Sequence, residues 1–352
     1  MKSLAAILVQ QKKPLVLEDV QVPAPKLGQI LVRVLASGIC GSQIGEISGV
    51  KGPDTHVPHL LGHEGAGEVI ECGEGVRTVK AGDRVVLHWR KGAGLESVPA
   101  TYDSRIGRIN AGWVTTFNEY AIVSENRVTA IPPDFDLETA ALFGCAVTTA
   151  FGVVNNDARL ALGESIAVFG AGGIGLNIVQ GASLVGANPI IAIDLFDNRL
   201  ELASSFGATH VINSSTTDPA EEILRIAGPA GVDVAVDNTG NVDVIALASR
   251  LTGPRGRTVL VGVPPIGSAA AISTLPLHFE KRLVGSHGGG CRPDIDIPRY
   301  VRLVRERRLA FGSLVGKRYS LEDINSAIED MRTGRLAGRP MILMPAGTPA
   351  TA

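Results

Sequence analysis

The sequence has few cysteines, few aromatic residues and almost no net charge. Four cysteines are spread over 352 residues, a spacing that argues against a disulfide framework and favours a reducing, cytoplasmic compartment. The net charge of −2 gives no field that would attract nucleic acid or an anionic membrane. No apolar run reaches the ~18 residues of a membrane-spanning helix. The short apolar stretch at residues 4–9 is predicted to be a first strand, not a signal peptide.

Hydrophobic residues are plentiful, at 45% of the chain, and two domains are expected at this length. The first part of the chain has short strand-like segments separated by Pro and Gly, which is typical of a small barrel or sandwich. In the middle part strands and helices alternate, which predicts a doubly wound parallel sheet. The last part is too short for a core of its own and is expected to pack on the first domain. We therefore predict an α/β fold with a discontinuous β-rich domain, residues 1–148 and 290–352, and a cofactor domain, residues 149–289.

A glycine-rich turn lies between a predicted strand at residues 166–169 and a predicted helix at residues 176–186. Such a turn lets the backbone approach a pyrophosphate, and the helix N-terminus offers free N–H donors. A strand, turn and helix without a ligand is the alternative interpretation. The turn has the spacing G-x-G-x-x-G, and its predicted cofactor-binding residues are Gly170, Gly172, Gly173, Ile174 and Gly175.

An acidic residue follows the next predicted strand, residues 190–193. This residue, Asp194, comes 24 positions after Gly170, about where the dinucleotide fingerprint has an acid that binds the adenosine ribose diol. A carboxylate there also repels a 2′-phosphate. The sequence therefore predicts NAD rather than NADP as the cofactor.

Three candidate metal ligands, Cys40, His63 and Cys145, are far apart in the sequence. Two thiolates and one imidazole leave one position of a tetrahedral zinc open, which is the catalytic arrangement rather than the closed structural one. The three residues lack the local spacing that identifies a zinc site. Taken singly, each is more often a buried structural residue.

The order and spacing of several motifs resemble those of the zinc-dependent medium-chain alcohol dehydrogenases, from about residue 5 to 345. The resemblance implies a GroES-like catalytic domain, a Rossmann domain, and a cleft between them that holds NAD and one zinc. It also implies hydride transfer between NAD and a primary or secondary alcohol or its carbonyl, a class that includes polyols, cyclitols and sugars. Relatives are dimers or tetramers, so a homodimer or homotetramer is expected. The motifs are GICGS at 38–42, GHEGAGEV at 62–69, AGDRV at 81–85, GC at 144–145, GAGGIG at 170–175 and Asp194.

The resemblance assigns roles in the catalytic domain. Cys40, His63 and Cys145 match the family's catalytic zinc ligands. Ser42 matches the hydroxyl that passes the substrate proton outward. Glu64 matches an acid that can approach the metal when its ligand set changes.

The resemblance also assigns cofactor contacts. Arg199, five positions past Asp194, matches a basic residue beside the adenosine ribose. Thr149 matches a hydroxyl that helps to place the nicotinamide. Arg339 matches an Arg near the cofactor phosphate and the zinc. The alternatives are a helix cap for Thr149 and a surface charge for Arg339.

The segment after residue 87 departs from the family pattern. Many relatives carry a structural zinc on four cysteines there, but no cysteine lies between Cys72 and Cys145, so no structural zinc is expected. The segment instead carries Trp89, Arg90 and Lys91. These residues either pack within the lobe or on a neighbouring subunit, or they bind an anionic substrate.

Gln43 and Gly45 also depart from the family, which often has Asp and His at these positions. Gln43 carries no charge, so the surroundings of the zinc change. Gly45 removes the usual end of the proton relay, so the proton leaves by water or through another group, for which Glu46 and His287 are the candidates. His287 lies in a glycine-rich crossing between the domains, where it contacts cofactor or substrate or forms part of a hinge.

Two other functions remain open on this fold. A tightly held NAD that oxidises and re-reduces one substrate would make the protein an epimerase or a related enzyme without net redox turnover. A non-catalytic binding protein is the other alternative. The intact set of Cys40, His63 and Cys145 argues against it, because a binding module needs no open metal site.

Overall fold

In a computed structural model the chain forms two compact units. The structure describes residues 1–309, 311–334 and 336–345. One unit comprises Met1–Cys145 and Arg292–Ala352, and the other comprises Ala146–Cys291. Residues 346–352, which the predicted first domain includes, lie outside the described part.

The N-terminal part of the first unit is rich in strands. Two helices, α1 and α2, follow β3 and β10. The elements are β1 Lys2–Leu8, β2 Val16–Gln21, β3 Gln29–Gly38, α1 Gly41–Ser48, β4 His59–Leu60, β5 Glu64–Cys72, β6 Arg84–His88, β7 Thr101–Ser104, β8 Gly107–Asn110, β9 Tyr120–Ser124, β10 Val128–Ile131 and α2 Leu137–Leu142.

The second unit alternates strands and helices. Its elements are α3 Ala146–Gly152, β11 Ile166–Phe169, α4 Gly173–Leu184, β12 Ile190–Asp194, α5 Asp197–Ser205, β13 His210–Asn213, α6 Pro219–Ala227, β14 Val232–Asp237, α7 Val242–Leu251, β15 Thr252–Leu260 and β16 Arg282–Gly285.

The C-terminal segment returns to the first unit. Strand β18 pairs antiparallel with β3 and parallel with β17. Apolar side chains of this segment, including Ile324, Ile328 and Ile342, belong to the same buried core cluster as Val32 and Leu87. The elements of the segment are α8 Pro293–Arg305, β17 Val315–Tyr319, α9 Ile324–Arg332 and β18 Arg339–Leu343.

Two sheets build the first unit. Strands β1, β2, β7, β8 and β4 close a small barrel, and a seven-stranded sheet runs β10-β6-β5-β3-β18-β17 with β9 also on β3. Strand β3 is central in this sheet, with paired strands on both edges, and carries buried residues along nearly its whole length. The ends of β3 and β5 bring Cys40 and His63 to one end of this sheet.

The second unit holds a six-stranded sheet in the order β13-β12-β11-β14-β15-β16, with every pair parallel. Its central strands are fully buried, as expected where helices cover both faces. The predicted α/β fold, with a β-rich domain and a doubly wound parallel sheet, is confirmed.

Side-chain caps mark where helices of the second unit begin. The Asp218 carboxylate accepts a hydrogen bond from Ala220 N–H, and Pro219 occupies the first turn of α6. The Asn241 side chain likewise accepts from Asp243 N–H at the start of α7. Such caps satisfy N–H groups that lack a partner within the helix.

Some boundaries differ from the predicted ones. The sequence predicts a strand that begins at Thr258, but β15 begins at Thr252, six residues earlier, because its pairing with β14 continues through an irregularity. Strand β16 was not predicted. The second unit begins at Ala146 since α3 packs against α4. Among the described helices, none is both long and apolar enough to cross a bilayer.

Candidate active site

The three candidate metal ligands meet in the first unit. One ligand atom each from Cys40, His63 and Cys145 lies within 4.8 Å of the others. Cys40 is the residue before α1, His63 precedes β5, and Cys145 follows α2. The two sulfurs are 3.9 Å apart, and two zinc–sulfur bonds of about 2.3 Å at the tetrahedral angle would separate them by about 3.8 Å. The donor set therefore fits zinc in identity and spacing.

The two thiols differ in their tendency to ionise. The pKa of Cys40 is lowered because the Cys145 thiol donates a hydrogen bond to it, and Arg339 and His63 add to this effect against the cost of burial. The pKa of Cys145 is raised, because ionisation would break that hydrogen bond and place a second negative charge in a buried site. One thiolate is thus favoured by the protein alone, and a divalent cation would favour both.

A side-chain amide holds the imidazole ligand. A hydrogen bond joins Gln43 Nε2 and His63 Nδ1, and the Oε1 atom of Gln43 accepts from Cys40 N–H at 3.3 Å. Gln43 therefore links two of the three candidate ligands. Because an amide nitrogen only donates, His63 Nδ1 is the acceptor in this hydrogen bond, which holds the ring in place.

Glu64 follows His63 directly and is buried in an ion pair. Arg339 donates to both of its carboxylate oxygens, at 2.8 and 2.6 Å. Arg339 is only 2% exposed, so the alternative of a surface charge is wrong. The pair places a guanidinium next to the thiols, where it also acts on the pKa of Cys40.

The Ser42 hydroxyl lies in the first turn of α1, two residues after Cys40. Its oxygen is buried and has no hydrogen-bond partner among the described residues. Buried hydroxyls are normally paired. The Ser42 hydroxyl is thus left without a hydrogen bond in the described part, two positions along the chain from the candidate ligand Cys40.

Glu46, Asp54 and His59 form a second cluster of potential ligands in the first unit. His59 Nε2 is 2.8 Å from Asp54 and 3.8 Å from Glu46. The hydrogen bond to Asp54 accounts for the position of the His59 ring, and no further feature of the described residues points to an ion there. We therefore assign no metal to this cluster.

The segment after β6 lies next to the metal donors. The Trp89 ring meets the His63 ring edge to face at 6.4 Å, and the Arg90 guanidinium lies over the Trp89 ring at 5.5 Å. The exposed Lys91 pairs instead with Glu96 at 3.3 Å. Of the three substrate residues predicted in this segment, Trp89 is thus in contact with a candidate ligand and Arg90 stacks on it.

A buried carboxylate anchors the lobe that follows. Glu125 accepts hydrogen bonds from the backbone N–H groups of Arg77, Thr78 and Leu95 at 2.6 to 2.8 Å. These hydrogen bonds lower the pKa of Glu125 despite its burial. The lobe is therefore fixed by hydrogen bonds between protein groups.

The glycine-rich turn in the second unit has the features that a pyrophosphate site needs. Gly170 has φ +91°, a left-handed conformation that favours glycine. A Cβ on Gly175 would collide with the carbonyl oxygen of Gly170, whereas a Cβ on Gly172 would meet open space. The second glycine is therefore where a ligand could approach the backbone, and Gly173 begins helix α4.

Asp194 ends β12 beside this turn. Its Oδ2 accepts from Ala171 N–H at 2.7 Å, and its Oδ1 accepts from Leu195 N–H at 2.8 Å. Arg199 lies 3.7 Å from the carboxylate and stacks over the Phe196 ring. The predicted acid and base thus lie together at the end of the strand next to the glycine turn.

The other predicted cofactor residues of this unit lie in or near α3. The Thr149 hydroxyl is buried in α3 and has no hydrogen-bond partner among the described residues, so it is not a helix cap. His287 is exposed and precedes a short glycine turn that Asn156 Nδ2 holds through the Gly289 carbonyl at 2.8 Å.

Comparison with known proteins agrees with these features. Residues 26–133 match the model of the alcohol dehydrogenase GroES-like domain, and residues 173–306 match that of the zinc-binding dehydrogenase. An S-(hydroxymethyl)glutathione dehydrogenase of Escherichia coli O1:K1 is 36% identical over 95% of this chain and 98% of its own. The crystal structure of an alcohol dehydrogenase zinc-binding domain protein from Burkholderia ambifaria is similar, with a TM-score of 0.90, 32% identity and 98% and 99% coverage. That of benzyl alcohol dehydrogenase from Acinetobacter calcoaceticus has a TM-score of 0.88, 28% identity and the same coverage.

The chain belongs to the zinc-dependent medium-chain alcohol dehydrogenase family. The predicted family and its GroES-like and Rossmann domains are confirmed. As a medium-chain alcohol dehydrogenase the protein is an alcohol or carbonyl oxidoreductase, and the non-catalytic alternative is wrong.

Two features of this medium-chain alcohol dehydrogenase were missed in the sequence. One is the role of Glu125, which lies in an ordinary polar stretch with no motif. The other is Asn238, whose side-chain amide lies beside the glycine turn with neither polar atom hydrogen-bonded to a described residue. Its position directly after a predicted strand of the parallel sheet was the available signal, because ligands bind at the carboxyl ends of such strands.

Proposed function

We propose that the protein is a zinc-dependent oxidoreductase that transfers a hydride between NAD and an alcohol or the corresponding carbonyl compound. The observation that carries the proposal is the meeting of Cys40, His63 and Cys145 within 4.8 Å, with the unpaired hydroxyl of Ser42 nearby in the chain. Three protein donors of this kind leave one zinc position for substrate.

The three ligands would hold one zinc. When bound, zinc supplies Lewis-acid polarisation of a substrate oxygen, which makes an alcohol easier to deprotonate. The Gln43 amide orients the His63 ring, and the buried Arg339 guanidinium offsets part of the negative charge of the two thiolates. Glu64, held by Arg339 through two hydrogen bonds, stays fixed while this ion pair persists.

Ser42 is proposed to handle the substrate proton. In the oxidation direction its Oγ accepts the proton of the alcohol while its own proton passes to the next acceptor, and in the reduction direction the two transfers run in reverse. The proposal rests on a buried hydroxyl that no described residue pairs. Gly45, one turn along α1, has no side chain to take the proton further, so the next acceptor is water or Glu46, which is partly exposed.

NAD is the proposed cofactor and, when bound, would supply the group that accepts or donates the hydride. The glycine turn, with Gly170, Gly172 and Gly175, is suited to a pyrophosphate. Asp194 would accept hydrogen bonds from the adenosine ribose diol and repel a 2′-phosphate, with Arg199 beside the ribose. This charge preference is the argument for NAD over NADP.

We propose a primary or secondary alcohol as substrate, with an aromatic or anionic part. Trp89 offers a ring next to His63, and Arg90 offers a guanidinium over that ring. A guanidinium suits carboxylate or phosphate groups. Lys91 is a weaker candidate, because Glu96 already neutralises it.

We further propose a homodimer or homotetramer in the cytoplasm. Strand β16 is an outer strand of the six-stranded sheet, and Leu275, Phe279 and Leu283 near it are exposed apolar residues. An exposed strand edge with apolar neighbours is suited to pairing with a second copy. The four cysteines are free thiols, which agrees with a reducing compartment.

The test is turnover with NAD on a panel of aliphatic, benzylic, polyol and phosphorylated alcohols. We expect NADH to form with at least one alcohol. Its formation should stop after zinc is removed with a chelator and resume when zinc is restored. Ser42→Ala should lower kcat about 100-fold with zinc content unchanged, whereas Ser48→Ala on the same helix should have little effect. No NADH from any alcohol, and no NADH consumed with the carbonyls, would contradict the proposal. Substrate conversion without net NADH would favour the epimerase alternative.

A further inference from the structure

Asn238 lies against the glycine-rich turn of the second unit. It directly follows β14, and its backbone N–H donates to the Phe169 carbonyl at 2.9 Å, so the residue is fixed beside the end of β11. A Cβ built on Gly170 would lie 3.5 Å from the Asn238 Cβ, and one built on Gly175 would lie 3.4 Å from its Nδ2. The Asn238 side chain therefore lies beside the first and third glycines of the turn, with its amide nitrogen next to Gly175.

Neither polar atom of this amide has a hydrogen-bond partner in the part of the chain that the structure describes. Both Nδ2 and Oδ1 are buried and lack hydrogen bonds to any described residue. The neighbouring Asp237 carboxylate could have paired with the amide, but it accepts from Thr239 N–H, the Thr239 hydroxyl and Gly240 N–H instead. A buried amide with two unpaired atoms destabilises the fold, and a bound ligand that pairs with both atoms would remove that cost.

The chemistry of the amide limits what this ligand group can be. Nδ2 donates and Oδ1 accepts, so the complementary group must accept and donate as well. A pyrophosphate at neutral pH only accepts and would leave Oδ1 unpaired. A sugar hydroxyl satisfies both atoms.

The strand order indicates which of the two ribose groups of the dinucleotide lies near Asn238. Strand β12, which ends in Asp194, lies on one side of β11, and β14 lies on the other. A dinucleotide whose pyrophosphate sits on the turn after β11 extends one half over each neighbouring strand. With the adenosine ribose at Asp194, the other ribose lies toward β14.

We propose that Asn238 binds a hydroxyl of the nicotinamide-side ribose through its side-chain amide. The inference rests on the proposed cofactor role of the glycine turn. It makes Asn238 a cofactor-binding residue of the second unit, with no contact to the adenosine half.

The test compares the binding of three ligands by calorimetry to wild-type protein, Asn238→Leu and Asp194→Ala. ADP contains only the adenosine half, ADP-ribose adds the second ribose, and NADH adds the nicotinamide. Asn238→Leu should weaken the binding of NADH and of ADP-ribose about tenfold each. The affinity for ADP should stay within about twofold of the wild-type value. Asp194→Ala should weaken all three. An unchanged NADH affinity, an equal loss for ADP, or a loss for NADH without one for ADP-ribose would overturn the assignment.

A stability measurement separates a ligand role from a structural one. Asn238→Leu removes two unpaired buried atoms from a side chain of similar size, so without cofactor its Tm should equal or exceed that of wild type. A Tm lower by more than about 4 °C would mean that the amide supports the fold, and would overturn the proposal. If Asp194→Ala weakens NADH binding but Asn238→Leu does not, this inference alone is overturned. Wild-type protein that binds neither NADH nor ADP overturns the proposed function as well.

Discussion

Arg339 and Glu64 form a buried ion pair with two hydrogen bonds, although 275 positions separate them in the sequence. Both side chains are almost inaccessible to solvent, at 3% and 0% exposure. The pair joins strand β18 to strand β5 directly next to His63. It therefore ties the C-terminal segment of the chain to the candidate metal centre.

Arg339→Met should be strongly destabilising, because it leaves the Glu64 carboxylate buried without its cation. The expected loss in the free energy of unfolding is about 3–5 kcal/mol, measured by urea denaturation. The double variant Arg339→Met with Glu64→Leu should recover most of the loss, since it leaves no uncompensated charge. A loss below about 1 kcal/mol in the single variant would mean that the pair is not maintained in solution.

Asp194→Asn should relax the choice between NAD and NADP. The substitution keeps the shape of the side chain but removes the charge that would repel a 2′-phosphate, and Arg199, 3.7 Å away, can then attract that phosphate. The ratio of kcat/KM for NAD to that for NADP should fall at least about tenfold. Asp197→Asn, at the start of the next helix, is the control. An unchanged ratio would remove Asp194 from the cofactor site.

His88→Gln should flatten the dependence of stability on pH. Burial is the main cause that lowers the pKa of His88 from 6.5 to about 4, and the ring is held between the Arg90 carbonyl and the Thr129 hydroxyl. Between pH 6.5 and 4 the unfolded chain binds a proton at this residue that the folded chain does not. Folding stability should therefore fall by about 3 kcal/mol as the pH drops through that window.

Urea denaturation of wild type and variant at pH 7, 6, 5 and 4.5 measures this effect. The gap between the two proteins should narrow as the pH falls, since His88→Gln has no proton to gain. A parallel decline of the two curves would show that other groups dominate the acid sensitivity.

Arg90→Ala should raise KM for anionic alcohols more than KM for neutral alcohols. If the guanidinium over Trp89 binds an anionic group, KM for carboxylated or phosphorylated alcohols should rise about tenfold or more, and KM for neutral alcohols should change little. Lys91→Ala is the matched control, because Glu96 pairs with Lys91. Equal effects on neutral and anionic alcohols would assign Arg90 to packing of the lobe.

The second unit was largely predictable because its signals are local. Strand, glycine turn, helix and Asp194 follow one another between residues 166 and 194, and each has a distinct pattern of apolar and small residues. Strand β15 was placed too late, since Gly253, Pro254 and Gly256 at its start are typical of a turn. Strand β16 was missed because it has only four residues, most of them exposed. Such a segment lacks the continuous apolar run that marks an internal strand.

The first unit was less predictable because the contacts of its candidate metal centre join residues far apart in the sequence. Cys40 and Cys145 are 105 positions apart, so no spacing rule could join them, and only the family resemblance did. The sequence allowed Arg339 to be a surface charge, and it took the fold to bury it against Glu64. Asn238 stood in an Asp-Asn-Thr-Gly stretch that reads as a turn, where the unpaired amide is visible only in three dimensions.

The most direct test of the metal centre is the zinc content of the purified protein by mass spectrometry, compared with that of Cys145→Ser and Cys72→Ser. One zinc per chain is expected in wild type and in Cys72→Ser, whose thiol is not among the candidate ligands, and much less than one in Cys145→Ser. Retention of a full zinc equivalent by Cys145→Ser, or a wild-type protein with no zinc or with two per chain, would contradict the account.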